Sequence, residues 1–497
     1  MGQGSASGGL SRPARVSKSG HRFNFISLLL VLLALLLVAS PMPAVTDPDC
    51  GYPDFTCVET ARQGVSLLWA LDPHDTQSGQ ALASRLADQF SFAQLIRALR
   101  LGPQYSELVD RGWQQGQRVG AEGTEFPYSF HVPESYSAQT SYPLHIYLHG
   151  YTARRKAALL EYGWPESVIS EQAISLFPEA WADELWWHES QTQNLRALVR
   201  ILKQRYNIDE NRIYLHGISD GGSGTWQQAT VDATTYAAFV PVIGNPNVNS
   251  DAVNQLERDY YPLNLLNRPF LVVNTEKDPV YPGEQMNQVM NPMRALGVDL
   301  EFVLVPDAGH ETGWLDSFVG EIEAFRQASP RQPIPEKLFW RASADGFADR
   351  FHWVRIDATK PAAPSANLES ANPVVLGTGQ HIFPRTTESG RLMAMRENNR
   401  IMIASEGVER ITLLLSPDMI DFSRPVRVIQ NDHLIFAGRV SPSRETMLKW
   451  AATDMDRSML FAAELSLTLD VPAAINRASN RAALGGPPSR ANPLLPN

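Results

Sequence analysis

Arg212-Ile213-Tyr214-Leu215-His216-Gly217-Ile218-Ser219-Asp220-Gly221-Gly222-Ser223-Gly224-Thr225-Trp226 is the stretch whose reading decides the fold. An apolar run that reads as a strand enters Gly217-x-Ser219-x-Gly221, and a helix-compatible stretch leaves it. A serine on so sharp a turn needs small flanking residues, because tight packing there leaves no room for larger ones. Its hydroxyl is then expected to project from the C-terminal edge of a sheet. An ordinary glycine-rich turn shares the five-residue pattern; the strand before it and the helix after it favour the elbow.

A serine hydroxyl is a weak nucleophile until a base takes its proton, and the base needs an acid to hold its tautomer. Arg268-Pro269-Phe270-Leu271-Val272-Val273-Asn274 reads as a buried strand, and Asp278 falls in the loop just past it. Leu300-Glu301-Phe302-Val303-Leu304-Val305 reads as another, with His310 in the loop that follows. Asp278 follows Ser219 by 59 residues and His310 follows Asp278 by 32, so each gap holds at least one crossover helix. Glu276 is the nearest rival acid and Asp307 a weaker one. His145, His149 and His216 lie in or beside strands and are expected to be structural. An oxyanion forming at the site needs preorganised donors, for which the backbone N–H groups of Asp220 and Tyr151 are the candidates, with Thr152 as a one-residue alternative. This chemistry calls for no cofactor and no metal.

Tyr142-Pro143-Leu144 through His149-Gly150, then Tyr206-Asn207-Ile208-Asp209-Glu210-Asn211-Arg212-Ile213-Tyr214 leading into the Ser219 elbow, resembles the α/β-hydrolase superfamily. Within it the stretch is similar to bacterial exported esterases and peptidases related to feruloyl esterases and polyhydroxybutyrate depolymerases. The resemblance covers about residues 124 to 328 and is specific at superfamily level, much less so for substrate. It implies Ser219 as nucleophile, Asp278 as acid and His310 as base, with Gly150 and Tyr151 shaping the oxyanion hole. Asp220 departs from the pattern, since many relatives carry Met there, and a carboxylate beside a developing oxyanion is unfavourable.

Around this core the expected fold is α/β: a doubly wound, mostly parallel sheet over residues 124–330, preceded by a helical prelude (45–123) and followed by an all-β, sandwich-like module (334–472). The prelude shows apolar residues at three- and four-residue steps over Val58 to Leu71, Gly79 to Phe92 and Ala93 to Leu101. The proline-punctuated run 330–335 links sheet to module, where Gln430-Asn431-Asp432-His433 reads as a hairpin turn. Residues 473–497, rich in Ala, Arg, Gly and Pro, are expected to be disordered.

The first 46 residues hold Arg12, Arg15, Lys18 and Arg22 and no acid. They carry an apolar run from Ile26 to Ala39, and then Ser40-Pro41-Met42-Pro43-Ala44, the order of a secretory signal. The run falls short of the roughly 20 residues that span a bilayer. Residues 1–44 are therefore expected to be a signal peptide cut after Ala44, or else an uncleaved anchor and the only membrane contact. Cys50 and Cys57, the two cysteines, flank a Gly/Pro turn and are expected to form a disulfide after export to the periplasm or medium.

The chain of 497 residues has a formal charge of −10, and without the four N-terminal cations 39 basic residues face 53 acidic ones. Such a body repels phosphate backbones, so nucleic acid is not an expected partner. Trp186, Trp187 and Trp226 are candidates for a substrate pocket that takes a sugar or phenolic acyl group, with an internal hydrophobic plug as the equal alternative. The functional expectation is an exported serine hydrolase of small-molecule or oligomeric esters. A peptidase is the first alternative, and a non-catalytic binding protein, with glycan contact through the C-terminal module, is the second. Trp340, Trp353 and Trp450 do not decide whether that module binds sugar or only packs.

Overall fold

The computed structural model describes residues 55–72, 75–153, 163–246, 261–343, 348–360, 374–375, 381–382 and 389–470. The expected signal segment, Cys50 and the expected tail lie outside them. Helices α1 (Phe55–Ala70), α2 (Thr76–Gln89) and α3 (Phe92–Leu101) form the prelude. Asp75 caps α2 by accepting from the Ser78 N–H, and Ser91 and Gln94 bond reciprocally at the start of α3. Gly102 ends α3 at φ 69°, a conformation that costs glycine little.

An eight-stranded sheet follows: β1 (Gly112–Val119), β2 (Glu125–Val132), β3 (Tyr142–Leu148), β4 (Ile174–Pro178), β5 (Ile208–Ile218), β6 (Ala238–Val242), β7 (Phe270–Thr275) and β8 (Leu300–Val305). The spatial order is β1-β2-β4-β3-β5-β6-β7-β8. β1 and β2 pair antiparallel and β2 meets β4 antiparallel, whereas all pairings from β4 to β8 are parallel. Crossover helices α4 (Glu189–Arg205), α5 (Asp220–Val231) and α6 (Gly283–Leu296) join the parallel strands, and α7 (Val319–Ala328) follows β8. Parallel strands need cover on both faces, and alternate residues supply it: Leu144, Ile146 and Leu148 of β3 join one apolar cluster, Tyr147 the other. The sheet thus begins at Gly112, before the boundary expected at 124. Its first strand, Gly112-Trp113-Gln114-Gln115-Gly116-Gln117-Arg118-Val119, is a polar edge with little apolar signal.

The C-terminal module holds β9 (Lys337–Ser343), β10 (Arg350–Phe351), β11 (Val354–Thr359), a short ribbon of β12 (Val374–Val375) and β13 (His381–Ile382), β14 (Ser389–Glu397), β15 (Arg400–Glu406), β16 (Val408–Leu415), β17 (Val426–Gln430), β18 (His433–Gly438) and β19 (Ala463–Thr468). They form sheets ordered β10-β11-β16-β19 and β18-β17-β15-β14-β9 beside the ribbon. The hairpin from β17 to β18 turns through Asn431 and Asp432, both at positive φ. The module is not all β, because helix α8 (Arg444–Asp454), capped by the Ser443 hydroxyl accepting from Thr446 N–H, lies between β18 and β19. Its Met447, Leu448 and Ala451 share a core with Val65, Leu68, Leu86 and Leu99 of the prelude, so prelude and module close on one another.

Module and sheet domain also share a core, in which Trp340, Phe351 and Trp353 join Leu265, Phe270 and Met286. Trp340, Trp353 and Trp450 are buried and present no platform to a sugar. The 3-10 turn Pro262–Asn267 lies against β9, the outer strand of its sheet. There Asn264 accepts from the N–H and donates to the carbonyl of Arg341, and Asn267 does the same for Phe339. Two amide side chains thus stand in for a missing neighbour strand. Buried charges complete the joint: Arg331 pairs with Asp456 at 2.5 Å, and Arg457 with Glu210 at 2.7 Å.

Candidate active site

The elbow exists because Gly217 and Gly221 allow it. A Cβ on Gly217 would stand 1.9 Å from the Gly221 carbonyl oxygen, and one on Gly221 would stand 2.4 Å from that of Leu148. Between them Ser219 sits at φ 55°, ψ −116°, a sparsely populated conformation for a residue with a Cβ. Its N–H donates to the Val242 carbonyl and its carbonyl accepts from Ser223 N–H, so the turn is held from both sides.

Ser219 Oγ lies 2.8 Å from His310 Nε2, and His310 Nδ1 lies 2.7 Å from Asp278 Oδ2. The Asp278 side chain is buried, and its other oxygen, Oδ1, accepts from the N–H groups of Val280 and Tyr281 at 2.7 and 2.9 Å. Burial pushes the carboxyl up. The hydrogen bonds from His310, Tyr281 and Val280, and the charge on His310, outweigh that and leave it below the ordinary carboxylate range. The rival acids are engaged elsewhere: Glu276 accepts from Asp307 N–H, and Asp307 pairs with Lys277.

Gly150 approaches the nucleophile closely enough that a Cβ on it would stand 3.4 Å from the Ser219 Cβ. Tyr151 follows with an exposed side chain, and Asp220, whose backbone N–H opens α5, lies on the other flank. Burial pushes the Asp220 carboxyl up, and the neighbouring His310 offsets part of that. His149 fixes the loop in a way its sequence did not announce. Its Nε2 accepts from Ala180 N–H at 3.1 Å, so the proton resides on Nδ1, 2.6 Å from the Gly150 carbonyl. Burial holds this imidazole down at about 4, the Gly150 contact opposing the shift. His145 and His216 are buried in the sheet, as expected of structural histidines.

Trp186, Trp187 and Trp226, expected at a substrate pocket, lie in the core instead. Trp186 donates from Nε1 to the His149 carbonyl at 2.8 Å and packs its ring 5.1 Å from the imidazole. Trp226 stacks on Phe270 at 4.8 Å. Of the alternatives open in the sequence, the internal plug holds: Trp186 and Trp187 from the loop after β4, and Trp226 from α5, are all buried in one core. Among the described residues no group of three or more His, Cys, Asp or Glu side chains is disposed to hold a metal, and no helix is long and apolar enough to cross a membrane.

Strand order and elbow define the class: residues 112–328 have an α/β-hydrolase fold. Residues 169–313 match the Dienelactone hydrolase family. A bifunctional acetylxylan esterase/xylanase, XynS20E, from Neocallimastix patriciarum is 31% identical over 109 residues, which are 21% of this chain and 16% of that protein. The chain therefore spans about a sixth of that relative's length. Among solved structures, Est1E from Butyrivibrio proteoclasticus is similar at 16% identity and a TM-score of 0.35, covering 44% of this chain and 100% of its own. A thermostable esterase is similar at 21% identity and a TM-score of 0.36, covering 44% of this chain and 63% of its own. These structural likenesses are weak; the strand order carries the fold.

Proposed function

We propose that the protein is a serine hydrolase of carboxylic esters that works through an acyl-enzyme on Ser219. The observation that carries the reading is the continuous hydrogen-bonded line from Ser219 Oγ through His310 to Asp278. In the first half-reaction Oγ bonds to the ester carbonyl carbon while its proton passes to His310 Nε2. Asp278 keeps the imidazole in the accepting tautomer and stabilises the imidazolium. The oxyanion meets the N–H groups of Tyr151 and Asp220, and the leaving alcohol takes the proton back. Water then repeats the sequence on the acyl-enzyme with His310 again as base. The acetylxylan esterase similarity supports an ester rather than a peptide bond.

A fluorophosphonate probe followed by peptide mapping tests the nucleophile, and labelling at any residue other than Ser219 refutes it. Turnover of p-nitrophenyl acyl esters against peptide anilides separates ester from peptide hydrolysis, with the ester expected to dominate. Export guided by residues 1–44, and a disulfide between Cys50 and Cys57, belong to the same proposal. Mass analysis of the protein from its native compartment tests both: an N-terminus at Val45 and a non-reduced pair are the expected results.

A further inference from the structure

The loop from β7 into α6, Asp278-Pro279-Val280-Tyr281-Pro282-Gly283, holds a residue that touches both the acid and the base of the proposed relay. Tyr281 donates its N–H to Asp278 Oδ1 at 2.9 Å. Its ring meets that of His310 at a centroid distance of 5.5 Å and an angle of 74°, edge against face. Its hydroxyl is in hydrogen-bond contact with the Ser223 side chain, one helical turn beyond Ser219 on α5. Ser223 is itself buried, and its hydroxyl also accepts from Asn245 N–H.

Proline fixes its own φ, so Pro279 and Pro282 restrict the loop on both sides of Tyr281. Gly283 draws the end of the loop against β7, since a Cβ there would stand 2.8 Å from the Thr275 carbonyl oxygen. By contrast, His310 stands in the loop after β8, partly exposed, and its two ring nitrogens are its hydrogen-bonding anchors. Those two bonds fix the direction of the Nδ1 to Nε2 axis but leave the ring free to tilt about it. A neighbour packed against the ring is what resists that tilt.

We propose, on the basis of the ester-hydrolase reading above, that Tyr281 is a positioning residue for His310: its ring sets the plane of the imidazole, with its backbone held by Asp278 and its hydroxyl by Ser223. Its contribution falls on proton transfer, hence on kcat, and not on ground-state binding. A misplacement of about 1 Å in a reacting group lowers rate by up to roughly 100-fold.

The test is steady-state hydrolysis of a p-nitrophenyl acyl ester by wild type, Tyr281→Leu, Tyr281→Phe and Ser219→Ala. The fluorophosphonate labelling rate and the folded fraction from a thermal melt are measured on each. Tyr281→Leu is expected to lower kcat about 10- to 100-fold with KM within about threefold, and to slow labelling in parallel. Tyr281→Phe, which keeps the ring and loses the hydroxyl, is expected to recover most of that loss. The inference is overturned if Tyr281→Leu stays within twofold of wild type in kcat, if its loss lies in KM, or if Tyr281→Phe recovers nothing at equal folded fraction. Should Tyr281→Leu not fold, Tyr281→Met takes its place under the same criteria. A wild type as inert as Ser219→Ala on every ester would instead sink the ester-hydrolase reading.

Discussion

Replacing Asp278 with Asn is expected to lower kcat/KM by about 10⁴-fold, and the geometry says how. Both backbone donors, the N–H groups of Val280 and Tyr281, point at Oδ1, while His310 Nδ1 points at Oδ2. An asparagine amide set in the same place must keep its oxygen at Oδ1, because an NH2 there would face two donors. Its NH2 then faces His310 Nδ1 and turns that nitrogen into an acceptor. The imidazole proton moves to Nε2, 2.8 Å from Ser219 Oγ, where it cannot accept the serine proton. Four decades in rate correspond to about 5.5 kcal/mol of transition-state stabilisation. The fold should survive, since both backbone bonds remain, with a loss of stability no larger than the ionised carboxylate contributes. The assay is ester hydrolysis beside a thermal melt. Activity within tenfold of wild type would show that another group orients His310 and would refute the reasoning.

Other outcomes follow from the same structure. Gly217→Ala forces a Cβ to within 1.9 Å of a backbone oxygen and is expected to destabilise by about 3 kcal/mol or more, read from the urea midpoint. Asp456→Asn leaves the buried Arg331 guanidinium without its counter-charge and is expected to cost roughly 3–5 kcal/mol, with turnover per folded molecule unchanged. Acid should weaken the fold in two stages. The His149 imidazole is held down at about 4, so the unfolded chain takes up its proton first as pH falls from about 6.5. His149 accounts for on the order of 3 kcal/mol of the loss between about pH 6.5 and 4, beside the buried His145, His216 and His352, whose imidazoles burial also holds down, and His149→Gln should remove its share in denaturation curves. Asp278, held below its ordinary range, stabilises the fold above about pH 4 and loses that contribution below it.

The elbow, the two acid-and-base loops and the parallel strands were legible because each is a local pattern with a local cause. Gly217 and Gly221 announce a turn in which backbones touch, and apolar runs ending in Asp278 and His310 announce strands feeding one edge. What escaped depends on contacts distant in sequence. β1 is polar because an edge strand needs little burial, so its residues carry no alternation to read. Helix α8 is short and buries its face against helices more than 340 residues earlier, as Arg444 reaching the Phe90 carbonyl illustrates. The crowding of Trp186 and Trp187 in the loop after β4 was visible, but not which side of the sheet edge they would fill. The role of Tyr281 had a faint signal in its two flanking prolines, and none in its own identity.

Asn264 and Asn267 bond to the outer strand of the C-terminal sandwich and leave it no free ladder there. Cutting the chain at the proline linker would strip that strand bare and present an adhesive margin to any passing polypeptide. The hydrolase portion would lose part of its shared interior at the same stroke. Expression of either half alone should therefore give aggregates, whereas swaps that move both halves together should remain soluble. In lineages that shuffle catalytic and accessory domains as cassettes, this pair would have to travel as a single unit.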